Sequence, residues 1–153
     1  MMQELFVKIG EYKVVKGEDY VLIILGLGSC VCLTMYDPIN KIGGLAHILL
    51  PHSNGREESA KYADQAVKLM LRDMRKLGAK NIIAKIAGGS EILPMLNMKI
   101  GERNVKVVKE QLNKYNIKLV AEDVGGSMGR SVFFYVKDGR MLIKYSWGGE
   151  KWI

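Results

Sequence analysis

Cysteine is scarce in this chain: of 153 residues, only Cys30 and Cys32 carry a thiol. Two thiols two positions apart do not make a disulfide framework. On one strand their Cα atoms would lie roughly 6.5–7 Å apart, in a direction that makes a bridge awkward. Reduced thiols are expected. Histidine is equally rare, with His47 and His52 alone. A tight Cys-x-Cys pair, two separated histidines and no second cysteine pair form a poor zinc ligand set, so neither metal nor cofactor is expected. Repeats, low-complexity tracts and linkers are missing, which points to one domain over residues 1–153. The longest apolar run, Tyr20 to Leu27, is far too short to span a bilayer. The segment Met1-Met2-Gln3-Glu4-Leu5 has neither the basic n-region nor the cleavage site of an export signal. A cytoplasmic protein without membrane insertion is therefore expected.

The composition is that of a folded protein with a substantial core, 48% apolar and 25% charged. The net charge of +7 comes from scattered lysines such as Lys61, Lys68 and Lys80, then Lys106, Lys109, Lys114 and Lys118. Without a compact arginine-rich block and interleaved aromatics, the charge argues against nucleic acid and for an acidic protein partner.

Hydrophobic periodicity predicts strands over Glu4–Gly10 and Tyr20–Leu25, the second apolar on both faces. Cys30–Tyr36 alternates, with Val31, Leu33 and Met35 on one face and Cys32 and Thr34 on the other. Asp37-Pro38-Ile39-Asn40 is a turn, and Ile42–Leu50 returns as a strand. This hairpin carries Cys30 near one end and His47 on its returning arm. His52–Ser59 reads as a loop through Asn54-Gly55. A helix fits Ala60–Leu77, with Ala63, Val67, Met70, Met74 and Leu77 inward and Gly78 as its stop. A strand over Asn81–Ala87, a single turn over Ser90–Met95 and a helix over Glu102–Tyr115 follow. The last strands are Ile117–Asp123, Ser131–Val136 and Met141–Tyr145, the final pair joined through Asp138-Gly139. The order of elements indicates an α/β or α+β fold with mixed strand pairing.

Gly26-Leu27-Gly28-Ser29-Cys30 places a thiol directly after a glycine-rich turn that leaves a buried strand. Such a turn lets successive N–H groups converge on an oxyanion, so Gly28 and Ser29 are candidates to build that site. Gly26-x-Gly28 lacks the third glycine and the following helix of a dinucleotide fingerprint. A thiol that attacks an amide needs a proton acceptor nearby. His47, a polar ring within Leu45-Ala46-His47-Ile48-Leu49-Leu50, is the candidate. It reads equally as a core histidine satisfied by one backbone hydrogen bond. His52 reads as an exposed loop residue and Cys32 as packing. Gly88-Gly89 and Gly125-Gly126 read as ordinary turns or as a rim around the site, and Arg130 as a carboxylate ligand or a solvent-facing residue.

With those residues assembled, the chain resembles the CheD family nearly end to end. The blocks that carry the resemblance are Gly26-Leu27-Gly28-Ser29-Cys30-Val31, Tyr36-Asp37-Pro38, Gly44-Leu45-Ala46-His47-Ile48-Leu49-Leu50-Pro51, Lys61-Tyr62-Ala63-Asp64, Ala84-Lys85-Ile86-Ala87-Gly88-Gly89, Ile100-Gly101-Glu102-Arg103-Asn104 and Asp123-Val124-Gly125-Gly126. The resemblance implies a deamidase that converts glutamines of methyl-accepting chemoreceptors to glutamates, with Cys30 as nucleophile and His47 as base. It implies a β-sandwich of mixed sheets with helices outside, similar to the catalytic domain of cytotoxic necrotizing factor toxins. It also implies a CheC-type phosphatase as a regulator that occludes the site, and a monomer when the chain is alone. Many relatives carry a catalytic threonine six residues before the cysteine. Ile24 stands there in this chain, and its backbone carbonyl is expected to orient the imidazole. The alternative is an adaptor that binds receptors or the phosphatase without turnover.

Overall fold

The computed structural model describes residues 1–93 and 98–153. Runs of Val, Ile, Leu, Tyr and Phe, which suit a pleated, half-buried surface, supply the strands. They are β1 (Gln3–Phe6), β2 (Tyr12–Lys16), β3 (Tyr20–Leu27), β4 (Val31–Asp37), β5 (Ile42–Ile48), β6 (Ile83–Gly88), β7 (Lys118–Val124), β8 (Arg130–Tyr135), β9 (Met141–Tyr145) and β10 (Glu150–Trp152). Among the described residues, the helices are α1 (Ala63–Lys76) and α2 (Ile100–Lys114).

The strands form two five-stranded mixed sheets, in the orders β1-β3-β8-β9-β10 and β2-β5-β4-β6-β7. Among the described strands, β1 with β3 and β6 with β7 run parallel and the other pairs antiparallel. The architecture is α+β, with two buried interfaces. One face of the second sheet packs on both helices through Leu33, Met35, Ala46, Val67, Met70 and Val108. Its other face packs on the first sheet through Cys32, Tyr36 and Leu45 against Leu22, Ile24 and Phe134. Tyr36 closes this space edge-on to Phe134, with ring centroids 5.8 Å apart, and donates its hydroxyl to the Val136 carbonyl at 2.7 Å. The alternation expected along β4 is the one observed.

Gly43 and Gly44 are needed because both faces of β5 are crowded. A Cβ at Gly43 would come within 2.9 Å of the Phe134 ring, and one at Gly44 within 3.0 Å of Met70. Helix α1 ends as expected, with Gly78 at φ +100. It starts at Ala63 rather than Ala60, and Leu77 is exposed because it caps the helix instead of facing inward.

The predicted strand Glu4–Gly10 ends at Phe6. After that the chain leaves the first sheet and crosses to the second, where it becomes β2 on the edge beside β5. Strand β10, short and exposed, was likewise not anticipated. On β3, burial on both faces holds only to Ile24. A register irregularity between Ile24 and Leu27, with Gly26 at φ +77, turns Leu25 out to solvent. The turn expected over Ser90–Met95 falls partly on residues 94–97, outside the described residues. Among the described residues, no helix is long and apolar enough to cross a membrane.

Candidate functional site

The site lies where β3 hands over to β4. Gly26, Leu27, Gly28 and Ser29 turn the chain from the first sheet into the second, and Cys30 follows immediately before β4. Gly28 is close against Ile92, whose Cδ1 would sit 3.0 Å from a Cβ at that position. The carbonyls of this turn are taken from outside it. Gly28 O accepts from the N–H and the hydroxyl of Ser90 at 3.0 and 2.8 Å, and Cys30 O accepts from Gly89 N at 2.8 Å. Among the described residues, no acceptor takes the N–H groups of Gly28, Ser29 or Cys30.

His47 sits on β5 directly opposite Cys32, and Cys30 is two residues further along the same inter-sheet face. Cys30 lies just beyond the last ladder pair, Val31 with Ile48, so the ladder puts thiol and imidazole at the same end of the hairpin without itself setting the distance between them. The crossing segment between β1 and β2 grips His47 three times. Gly10 N donates to its carbonyl at 2.9 Å, its N–H donates to Glu11 O at 3.0 Å, and its Nδ1 meets the Val7 carbonyl at 3.1 Å. A carbonyl can only accept, so Nδ1 carries the proton and Nε2 is left basic. That Nε2 is buried and has no hydrogen-bond partner among the described residues, Cys30 included.

The carbonyl that orients the imidazole is therefore Val7 O and not that of Ile24. The premature end of β1 is the reason, since it brings Val7 over the ring. Ile24 is instead fully buried, packed in the inter-sheet core with both cysteines. Val7 carries no signal in sequence, because any residue has a carbonyl to offer.

Gly88 and Gly89 are buried, and Gly89 lines a hollow with Val105, Val124 and Gly125. Gly88 has φ +99 and lies so close to the backbone of Cys30 that a Cβ would come within 2.5 Å of Cys30 O. Its own carbonyl accepts from Gly125 N at 3.0 Å and from Arg130 Nη1 at 3.2 Å. Arg130 Nη2 donates to Gly125 O at 2.8 Å, and its Nε to Asp123 at 3.2 Å. Asp123 also accepts from the Tyr145 hydroxyl at 2.7 Å. Arg130 thus has a carboxylate ligand, but an internal one, and it locks both glycine pairs behind Cys30.

The electrostatics favour an uncharged resting pair. Burial pushes the Cys30 thiol up. Burial also holds His47 below its ordinary 6.5, against the opposing pull of the Val7 carbonyl and the Glu11 charge. Among the described residues, three hollows border the turn, one of about 300 Å³ being lined by Leu27, Gly28, Ile92 and Arg130. Another of about 350 Å³ is lined by Ser29, Ser90, Ile92 and Met98, and one of about 500 Å³ by Val7, Leu25, Gly26 and His47. Cys30 itself is 7% exposed and Cys32 wholly buried, which suits the packing role expected of Cys32. His52 is exposed on its loop, 3.9 Å from Asp64. The arrangement places a thiol, an imidazole held in one tautomer, and backbone N–H groups without an acceptor among the described residues around one turn.

Residues 49–145 match the CheD family, described as CheD chemotactic sensory transduction. The chain is 50% identical to a probable chemoreceptor glutamine deamidase CheD of Archaeoglobus fulgidus, over 100% of both chains. It is 46% identical to the chemoreceptor glutamine deamidase CheD of Thermotoga maritima, over 94% of this chain and 92% of that one. A probable chemoreceptor glutamine deamidase CheD of Caldanaerobacter subterraneus is 42% identical over 99% of this chain and all of its own.

Proposed function

The chain belongs to the CheD family, and on that premise we propose that it deamidates glutamine side chains of chemoreceptors through a thioester on Cys30. In the first step His47 Nε2 takes the Cys30 proton as the sulfur attacks the glutamine Cδ carbonyl. The N–H groups of Gly28, Ser29 and Cys30 receive the developing oxyanion. Protonated His47 then gives its proton to the leaving nitrogen, so ammonia departs and a thioester remains. A water molecule attacks that thioester with His47 as base, which frees the thiol and leaves glutamate. The observation that carries this reading is the imidazole whose Nδ1 is held by the Val7 carbonyl while its buried Nε2 is left without a partner. Neutral resting states of both groups support proton transfer at the moment of attack rather than a preformed ion pair.

The basic surface, at net charge +7, suits acidic partners, with chemoreceptors as substrate and a CheC-type phosphatase as regulator. The chemistry takes place in the cytoplasm, where receptor signalling domains reside and thiols stay reduced. The two-sheet architecture is compatible with kinship to the cytotoxic necrotizing factor catalytic domain. A second reading is favoured by Ile24, which has no hydroxyl where many relatives carry threonine: an adaptor that binds receptors without turnover.

Incubation with a receptor cytoplasmic fragment separates the two. Ammonia release, together with the mass change of an amide becoming an acid in a receptor peptide, is expected from the parent and not from Cys30→Ala. Equal release from both proteins would remove Cys30 from the reaction, and binding without release from either would establish the adaptor.

A further inference from the structure

Strand pairing between β4 and β5 stops at Val31 opposite Ile48. Beyond that pair the N–H groups of Leu49 and Leu50 turn away to the Lys61 carbonyl, at 2.8 and 3.0 Å. The ladder therefore does not itself hold the Cys30 turn against the arm that carries His47. We propose that Asn104 does so, as a positioning residue that sets the distance between nucleophile and base. This role rests on the reading of Cys30 and His47 as the reacting pair.

Asn104 lies in the second turn of α2 and is wholly buried. Its Nδ2 donates to the Ser29 carbonyl at 3.2 Å and to the Leu49 carbonyl at 3.0 Å. Both neighbours can only accept, so the NH₂ end of the amide must face them, and chemistry fixes the orientation of the group. Ser29 immediately precedes Cys30, and Leu49 comes two residues after His47. One amino group thus ties Ser29, two residues before the last ladder pair, to Leu49, one residue after it. The helix can reach there because Gly101 has no side chain: any Cβ would collide with the Gly89 carbonyl. Gly89 and Ser90 in turn hold Cys30 O and Gly28 O. The Oδ1 of Asn104 is buried and has no partner among the described residues. A leucine of similar size would avoid that loss, so the position keeps a polar group at a cost in stability, and its two donors are what the polar group contributes.

The test uses the full-length protein with a receptor cytoplasmic fragment and reads kcat, KM and the pH profile of Cys30 alkylation by iodoacetamide. Asn104→Ala is expected to lower kcat about 100-fold with KM little changed, as misplacement on the order of 1 Å does. Its alkylation profile should lose the inflection that His47 imposes. Asn104→Ser, which keeps one donor, should fall between variant and parent. Met74→Ala, in the core between helices and sheet, serves as a destabilised control whose kcat and alkylation profile match the parent. Asn104→Ala with kcat within about threefold of the parent, or with an unchanged alkylation profile, overturns the proposal. Should the variants not fold, the parent still decides. Its Asn104 side-chain NH₂ resonances should exchange slowly and shift when Cys30 is alkylated, and fixed resonances overturn the role. A parent no more active than Cys30→Ala would instead sink the underlying reading, a separate outcome.

Discussion

The two faces of the β4–β5 hairpin are built from the same chain and do different work. Toward the helices it presents Val31, Leu33, Met35, Ile42, Ala46 and Ile48, all buried aliphatic groups. Toward the first sheet it presents Cys32, Tyr36, Leu45 and His47, with Cys30 at the end of the row. A strand exchanges faces at every residue, so one sequence writes both rows at once. The helix-covered face can be all hydrocarbon because nothing there needs a partner. The inter-sheet face carries a thiol and an imidazole, which must be supplied with carbonyls from other segments. The two faces therefore differ in what must surround them: apolar packing on one, and on the other polar groups that need backbone partners.

The contrast predicts opposite mutational outcomes, and the largest effect should come from Cys30. Cys30→Ala should lower ammonia release by at least about a thousandfold with little change in stability. Met35→Ala, on the other face, should cost about 2–5 kcal/mol while turnover per folded molecule stays at the parental value. Denaturant melts alongside ammonia assays on both variants check the division. An active Cys30→Ala, or a stable but inactive Met35→Ala, would dissolve it.

Next in size is the support behind the chemical face. Asp123→Ala leaves the buried Arg130 guanidinium without its carboxylate, and such losses cost about 3–5 kcal/mol. Urea melts measure this. A cost under about 1 kcal/mol would class the pair with exposed ion pairs and leave Gly88 and Gly125 held by backbone contacts alone.

The acid response sharpens the comparison further. His47 is held below its ordinary 6.5, chiefly by burial, so the folded protein binds fewer protons there than the unfolded chain. Its contribution is complete above 6.5 and is lost as pH falls below that value through the folded pKa. Asp37 acts in a lower window. Burial alone would raise its carboxyl, but hydrogen bonds from the Asn40 side chain and from the N–H groups of Lys80, Asn40 and Ile39 bring it from 3.8 down to about 2. Its stabilisation is present above 3.8 and lost as pH falls toward 2. In His47→Gln the first loss should vanish and the second persist. Parallel stability curves for parent and variant between about pH 7 and 5 would show that His47 does not titrate differently on unfolding.

The smallest effect is expected at Cys32. Cys32→Ala removes one sulfur from a buried site and should cost on the order of 1 kcal/mol, with ammonia release intact. In the native parent, iodoacetamide should label Cys30 and spare Cys32, whose thiol burial both hides and pushes up. Equal labelling of the two would mean that the inter-sheet face opens as a whole.

Much of the fold was readable because periodicity is a local property. The β4–β5 hairpin, the inward stripe of α1 and its stop at Gly78 all follow from spacing along the chain. The pieces that escaped are those whose structure depends on a neighbour. Strand β2, Tyr-Lys-Val-Val-Lys, has a weak pattern and exists because β5 has a free edge. The segment from Val7 to Glu11 looks like a continuing strand, yet after the Val7 N–H bond to the Ile23 carbonyl it leaves the first sheet and wraps His47.

What the sequence alone determined is which residues have the chemistry: two thiols, two imidazoles, and a glycine-rich turn in front of Cys30. Side-chain identity is written in the chain, and so is the alternation that assigns Cys32 and His47 to faces. What only the tertiary structure decided is what those groups meet. The imidazole is held by Val7 O rather than by Ile24, Gly88 packs against the Cys30 backbone, and Arg130 meets an internal carboxylate. Backbone carbonyls and N–H groups are the same at every residue, so no pattern of side chains marks the one that long-range packing will deliver to the site.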